Sequence, residues 1–252
     1  MDLAVTTSSL DILFRSSTGV LVSSFSASDS ASLGSLRSLS HGGAGEPVRF
    51  VASEDGSKVA VVYANVVVVA SGPGLDRVVV LQVKNVLAHA AAFSPDSSVL
   101  LVASRKTSAS ANMFAFNTET GAEVASFHQR SVDADAWPPL RWNGDGSIAA
   151  RVLDNDSVHI LSGSLTGEPL ARLAIPGVQQ VWLSPSSAPV RLLTFSPATK
   201  SKPGAATVWG FPHTEAPISS KAMQADGCRT EAASDGTAFL VEMNTSSSAT
   251  SY

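Results

Sequence analysis

A turn signal recurs along this chain at nearly constant distance, and no other feature limits its fold as strongly. Asp55-Gly56, Asp96-Ser97, Asp145-Gly146, Ser186-Ser187 and Asp235-Gly236 follow one another at 41, 49, 41 and 49 residues. Each stands in one frame: an apolar stretch, a turn of Ser, Pro, Asp or Gly, then a strand of small apolar residues. Val48-Arg49-Phe50 goes with Val59-Ala60-Val61-Val62, and Ala92-Phe93 goes with Val99-Leu100-Leu101-Val102. Leu140-Arg141-Trp142 precedes Ser147-Ile148-Ala149-Ala150, Val181-Trp182-Leu183 precedes Val190-Arg191-Leu192-Leu193, and Thr230-Glu231-Ala232 precedes Thr237-Ala238-Phe239-Leu240-Val241. Asp or Ser followed by Gly or Ser tolerates the left-handed backbone of a tight hairpin and caps it with a side chain. A second hairpin follows the first, turning at Thr120-Gly121 and at Thr166-Gly167, where glycine suits the positive φ of a bulged three-residue loop. Leu13 through Phe25 aligns without gaps to Ala115 through Phe127, so the pattern extends back to the N-terminus.

Four strands in about 40–50 residues is the arithmetic of a β-propeller blade, whereas a β-sandwich shows no fixed period. The expected fold is all-β, a propeller of WD-repeat-like four-stranded blades, with about five blades' worth of chain. The frame divides the sequence into 1–45, an outer hairpin and a Ser/Gly-rich linker; four blades at 46–90, 91–139, 140–180 and 181–226; and 227–252, the inner hairpin of a partial last blade. The outer hairpin at one end and the inner hairpin at the other leave two arrangements open. They pair into one composite blade and close a ring of about five, or the chain is an arc of a larger ring whose edges need cover.

Composition narrows the function classes. Hydrophobic residues are 44% and charged residues 15%, too apolar for a disordered chain. Seventeen Lys and Arg stand against 21 Asp and Glu, for a net charge of −4, so any contact with nucleic acid has to be local. The single cysteine, Cys228, permits no internal disulfide and reads as a buried thiol. The longest apolar run, Val59 to Ala70, is interrupted by Tyr63 and Asn65. It falls short of the ~20 apolar residues of a membrane span and reads as two strands. Asp2 occupies the place where a secretory signal carries a base, and the gap-free outer hairpin favours a folded N-terminus over a transit peptide.

From the third repeat the residues resemble a particular family. Phe127, Gln129 and Arg130, Trp137-Pro138-Pro139-Leu140-Arg141-Trp142, Asp145, Ala150-Arg151, Asn155 and Val158-His159-Ile160 are similar to the N-terminal propeller of eukaryotic translation initiation factor 2A. Leu183-Ser184-Pro185, Lys200-Ser201-Lys202-Pro203-Gly204, Val208-Trp209-Gly210-Phe211-Pro212, Lys221, Ala225-Asp226 and Ser248-Ala249-Thr250-Ser251-Tyr252 continue the likeness. The resemblance runs from about residue 48 onward. It implies a cytoplasmic factor that binds the small ribosomal subunit and helps bring initiator methionyl-tRNA to it without a GTPase subunit of its own. It also implies mRNA and other initiation factors as partners, no membrane, and a nine-bladed ring followed by a lysine-rich extension, of which this chain would be about half the ring. A propeller scaffold for protein partners is the alternative that fold alone would allow.

Two loops carry paired bases, Arg105-Lys106 and Lys200 with Lys202, each joining the second and third strands of its blade and expected on one face of the propeller. They are the candidate contacts to ribosomal RNA phosphates, against the plain alternative of solvated loop charge. Trp137, Trp142, Trp182 and Trp209 read as packing between blades rather than as base-stacking platforms. His41, His89, His128, His159 and His213 have no metal-ligand spacing, Gly42-Gly43-Ala44-Gly45 reads as linker rather than a phosphate cradle, and no serine lies in a nucleophile elbow. No catalytic, cofactor-binding or metal-binding residue is expected, and the protein is expected not to be an enzyme.

Overall fold

The computed structural model describes residues 2–6, 11–15, 21–25, 49–63, 65–72, 77–83, 86–105, 111–129, 137–185, 189–223, 227–232 and 239–244. Every regular element among them is a strand. The chain divides into two compact units, Met1–His128 and Gln129–Tyr252.

The first unit holds two complete blades. One is β4 (Arg49–Ala52), β5 (Lys58–Val62), β6 (Val67–Ser71) and β7 (Arg77–Leu81); the other is β8 (Val86–Phe93), β9 (Val99–Ser104), β10 (Met113–Asn117) and β11 (Glu123–Phe127). Each is an antiparallel meander in chain order. The apolar run Val59–Ala70 is the hairpin β5–β6, as its interruption by Tyr63 and Asn65 suggests. Ahead of them β1 (Asp2–Thr6), β2 (Asp11–Arg15) and β3 (Leu21–Phe25) pair as a three-stranded sheet. The β2–β3 ladder shifts register between Phe14 and Arg15, as β10–β11 does between Ala115 and Phe116, so both hairpins are bulged.

The second unit repeats the meander twice, as β12 (Leu140–Trp142), β13 (Ile148–Leu153), β14 (Ser157–Ser162) and β15 (Ala171–Ala174), then β16 (Gln180–Leu183), β17 (Val190–Ser196), β18 (Gly204–Phe211) and β19 (Ser219–Met223). β20 (Gly227–Ala232) and β21 (Phe239–Asn244) form a two-stranded sheet. The strands at the two chain ends are thus assigned to two separate sheets, one in each unit.

The core explains why these segments are strands. β-branched and small apolar residues suit a pleated surface covered on both sides. In the first unit Ala60, Val62, Val67, Val69, Leu81, Leu100, Val102 and Phe116 form one cluster that joins the two blades. In the second, Ala150, Val152, Val158, Ile160 and Leu173 of one blade pack with Val181, Leu183, Val190 and Leu192 of the next.

The hairpin that opens each of the first three blades is built from one device, while the Ser186-Ser187 turn of the fourth lies outside the described residues. Gly56, Ser97 and Gly146 have φ of 71°, 60° and 73°, and each donates its N–H to the carbonyl three residues earlier. This is a turn closed by a left-handed residue. The residue two before the turn aspartate, Ser53, Ser94 or Asn143, is buried. Its side-chain oxygen accepts the N–H of Lys58, Val99 or Ile148 at 2.9, 3.0 and 2.9 Å, at the head of the second strand. Ser184 does the same for Arg191 at 3.0 Å. In four blades a buried hydroxyl or amide therefore pins the first hairpin where a mispaired N–H would otherwise lack a partner.

Candidate nucleic-acid interface

Three of the expected site residues, Arg105, Lys200 and Lys202, are described, one after β9 in the first unit and two between β17 and β18 in the second. Arg105 follows β9 directly and is exposed, while Lys106 lies outside the described residues. The base of that loop is closed by the Ser104 N–H donating to the Asn112 carbonyl at 2.9 Å. Lys200 and Lys202 are both exposed on the connection between β17 and β18. Thr199 folds that connection back on itself. Its N–H donates to the Lys202 carbonyl at 2.8 Å and its hydroxyl oxygen accepts the Lys202 N–H at 3.1 Å. Gly204 makes the return close: a Cβ there would lie 2.7 Å from the Ala198 nitrogen and 2.8 Å from the Ser196 carbonyl oxygen. The result is a short tied loop that presents two ammonium groups to solvent, a geometry suited to phosphate oxygens.

The aromatic residues divide by role. Trp209 packs against the interblade cluster of the second unit, and its indole N–H donates to the Thr194 hydroxyl at 3.0 Å. Trp182 lies against Leu193, Phe195 and Ala206 together with Phe239. Trp142 is half-buried and donates to the Gly163 carbonyl at 2.9 Å. Trp137 is also half-buried. Of the four rings, Trp209 lies where two blades pack together, as expected of it. His128 and His213 are exposed, and His159 is half-buried on β14. The side chains of His89 and Cys228, and the whole of His41 and Gly42–Gly45, lie outside the described residues. Among the described residues no three His, Cys, Asp or Glu side chains are grouped to hold a metal ion, and no helix is long and apolar enough to cross a membrane.

The turn acids carry electrostatics that their spacing alone does not reveal. Asp55 accepts from the Ser53 hydroxyl at 2.7 Å, from Ser57, and from Ser97 of the neighbouring blade at 3.0 Å, and these bonds hold its carboxyl far below the usual carboxylate range. Burial works against the charge of Asp96, yet bonds from Ser94 and Ser98 outweigh it and lower its pKa too. The same blades meet at Glu119, which takes Lys58 Nζ at 2.5 Å and Arg77 at 3.2 Å. Lys58 also donates to Thr118 at 2.7 Å.

Similarity to known proteins points in one direction. The chain is 32% identical over 131 residues to eukaryotic translation initiation factor 2A of Schizosaccharomyces pombe, covering 52% of this chain and 22% of that protein. It is 24% identical over 165 residues to the protein of the same name from Dictyostelium discoideum, covering 64% and 27%. The chain is similar to eukaryotic translation initiation factor 2A. A solved structure described as a crystal structure of the eukaryotic initiation factor superposes with a TM-score of 0.71 at 26% identity, over 95% of this chain and 58% of the other. No family model matches the chain. The chain spans less than a third of the length of these two curated relatives. The β-propeller expected from the repeat is thereby shown: blades of four antiparallel strands, alike in arrangement to an initiation factor.

Proposed function

We propose that this chain serves translation initiation as a non-enzymatic, cytoplasmic binding module that attaches to the small ribosomal subunit and assists GTP-independent delivery of initiator methionyl-tRNA. The similarity to eukaryotic translation initiation factor 2A over 131 and 165 residues carries this reading. The tied Thr199–Lys202 loop with its two exposed lysines supports it, as does exposed Arg105 at the equivalent place in the first unit. In this mechanism Arg105, Lys106, Lys200 and Lys202 neutralise ribosomal RNA phosphates, each loop held by the strands of its own blade. mRNA and other initiation factors are partners of the assembled complex.

The test is co-sedimentation of the purified chain with small subunits across a salt series, with and without initiator tRNA. Replacing the four bases by alanine is expected to weaken sedimentation and to flatten its dependence on salt. Sedimentation of that variant equal to the native chain overturns the assignment of the loops. A native chain that stays at the top of the gradient overturns the function itself.

A further inference from the structure

One blade departs from the others in charge. From the first strand to the fourth, the first three blades hold three Lys or Arg against three acids, two against three, and three against four. The fourth, from Gln180 to Met223, holds Arg191, Lys200, Lys202 and Lys221 against Glu215 alone. In a chain of net charge −4 this blade therefore carries a positive field of its own.

Its outer strand is open as well. β19 pairs with β18 and, among the described residues, with no other strand, so one edge of its backbone keeps N–H and C=O groups free to pair. Ser219, Ser220, Lys221 and Ala222 are all exposed, and Ile218 just ahead of them is 59% exposed. The outer strands β7, β11 and β15 each contain half-buried or buried residues. β19 is nevertheless held extended. Lys221 lies in register with Ala206, the Ser220 and Thr207 hydroxyls bond at 2.9 Å, and no proline interrupts the strand.

The charges on the outer strands divide in the same way. Arg77 of β7 meets Glu119 at 3.2 Å, Arg172 of β15 meets Glu168 at 3.3 Å, and β11 begins with Glu123. β19 has no acid, and Lys221 makes no ion pair among the described residues. A free extended edge offers a backbone ladder, which an added polypeptide strand completes and a nucleic acid does not. A lysine in the middle of that edge disfavours neutral strands and repels a second copy of itself, whereas a carboxylate on the incoming strand matches it.

We propose that β19 is a docking edge for an acidic, extended segment of a partner protein, which adds a fifth strand to the fourth blade with a carboxylate opposite Lys221 and an apolar side chain beside Ile218. This edge is separate from the phosphate contacts of Lys200 and Lys202 and does not depend on the role in translation initiation. The probe is a short, end-blocked, fluorescein-labelled peptide of alternating Glu and Val, titrated against the full chain at low salt beside a counterpart with Lys in place of Glu. Lys221→Gln is expected to weaken the Glu peptide about two- to fivefold. Lys221→Glu is expected to reverse the preference between the two peptides, a gain that a misfolded variant would not show. The Glu peptide methylated at every backbone nitrogen keeps its charge but cannot form the ladder, and it is expected not to bind.

A methylated peptide that binds as well as the original overturns the docking edge, since charge alone then suffices. So does a native chain that does not bind the Glu peptide, or a preference that Lys221→Glu leaves unreversed. Uptake of a mixed-sequence oligoribonucleotide that depends on Lys221, without uptake of the Glu peptide, assigns the lysine to phosphate and overturns the proposal too. Dimerisation of the native chain that Lys221→Glu abolishes gives the edge to a second copy, with the same consequence.

Discussion

The two units share one strand order and fill it differently. In Met1–His128 the second and third strands carry no charged residue but Lys58: β6 and β9 are buried along their whole length, β5 everywhere but at Lys58, and β10 adds Phe114 and Phe116. In Gln129–Tyr252 the corresponding strands place Arg151, His159, Arg191 and Trp209 half-buried among Val, Ile and Leu. Ties between blades differ as well. The first unit joins its blades through side chains, Ser97 to Asp55 and Lys58 to Glu119. The second brings backbones close: the α-carbon of Gly144 lies so near Pro185 that a Cβ would collide with the Pro185 carbonyl. The comparison teaches that the blade plan constrains register and pins but leaves the middle of each sheet to be either core or surface chemistry.

All four tryptophans lie in the second unit, at positions 137, 142, 182 and 209, so tryptophan fluorescence follows that unit while far-ultraviolet circular dichroism follows both. The largest expected effect uses this difference. Leu100 is fully buried in the aliphatic cluster, and Leu100→Ala is expected to cost about 3 kcal/mol. Denaturant titration should then show part of the dichroism lost early with the tryptophan midpoint unmoved. Coincident shifts of both signals would mean that the units unfold as one body.

Next in size are the pins. Ser94→Ala strands the buried N–H of Val99 and Ser184→Ala removes the hydroxyl that holds the part-buried N–H of Arg191, and each is expected to cost about 1–2 kcal/mol. Ser184→Ala should move the tryptophan midpoint and Ser94→Ala the dichroism alone. If Ser94→Ala is neutral, water replaces the hydroxyl and the pin is not structural.

The pins also show what was legible in the sequence. The four-stranded blade and the turns at Asp55, Asp96 and Asp145 followed from spacing, because a left-handed turn residue leaves a compositional mark. Ser94 and Ser184 were present in the same frame but looked like ordinary turn serines, since nothing local says that a hydroxyl is buried. Asp154 and Asn155, with φ of 52° and 58°, form the tight turn between β13 and β14. That pair of turn-forming residues between two alternating segments was a readable sign. Lys200 and Lys202 stood out by charge, whereas Arg151, His159 and Arg172 are separated by eight and thirteen residues and meet only through register. Period-two alternation in Arg151-Val152-Leu153, Val158-His159-Ile160 and Ala171-Arg172-Leu173 was the one signal available, and it needs the strand pairing to become a row.

Acid separates the units by a smaller margin. The lowered carboxyls of Asp55, Asp96 and Glu119 belong to the first unit, and among the described residues the second has Asp145, lowered by its bonds from Ser147. A carboxylate whose folded pKa lies below its unfolded value near 3.9 stabilises the fold above that value and loses the contribution as pH falls toward the folded pKa. Titration from about pH 5 downward is therefore expected to reduce dichroism before tryptophan fluorescence changes. The order should reverse or vanish in Asp55→Asn with Asp96→Asn. An unchanged order would assign acid sensitivity elsewhere.

The smallest effect tests whether a side-chain tie between blades is worth a strained backbone. Ser97 is not a glycine, yet its φ is 60°, where Gly56 and Gly146 stand in the blades before and after it in the chain. Its hydroxyl donates to Asp55 at 3.0 Å. Left-handed strain in a residue with a Cβ costs about 1–2 kcal/mol, glycine returns about 0.5–1 of that through its greater unfolded freedom, and the hydrogen bond contributes about 0.5–1.5. Ser97→Gly loses the bond and the strain together, so its stability should fall within about 0.5 kcal/mol of the native chain. Ser97→Ala loses the bond and keeps the strain, and is expected to be less stable by about 1 kcal/mol. Alanine equal to serine would mean that the tie contributes nothing. Glycine well above serine would mean that the first unit retains its strained turn for something other than holding its blades together.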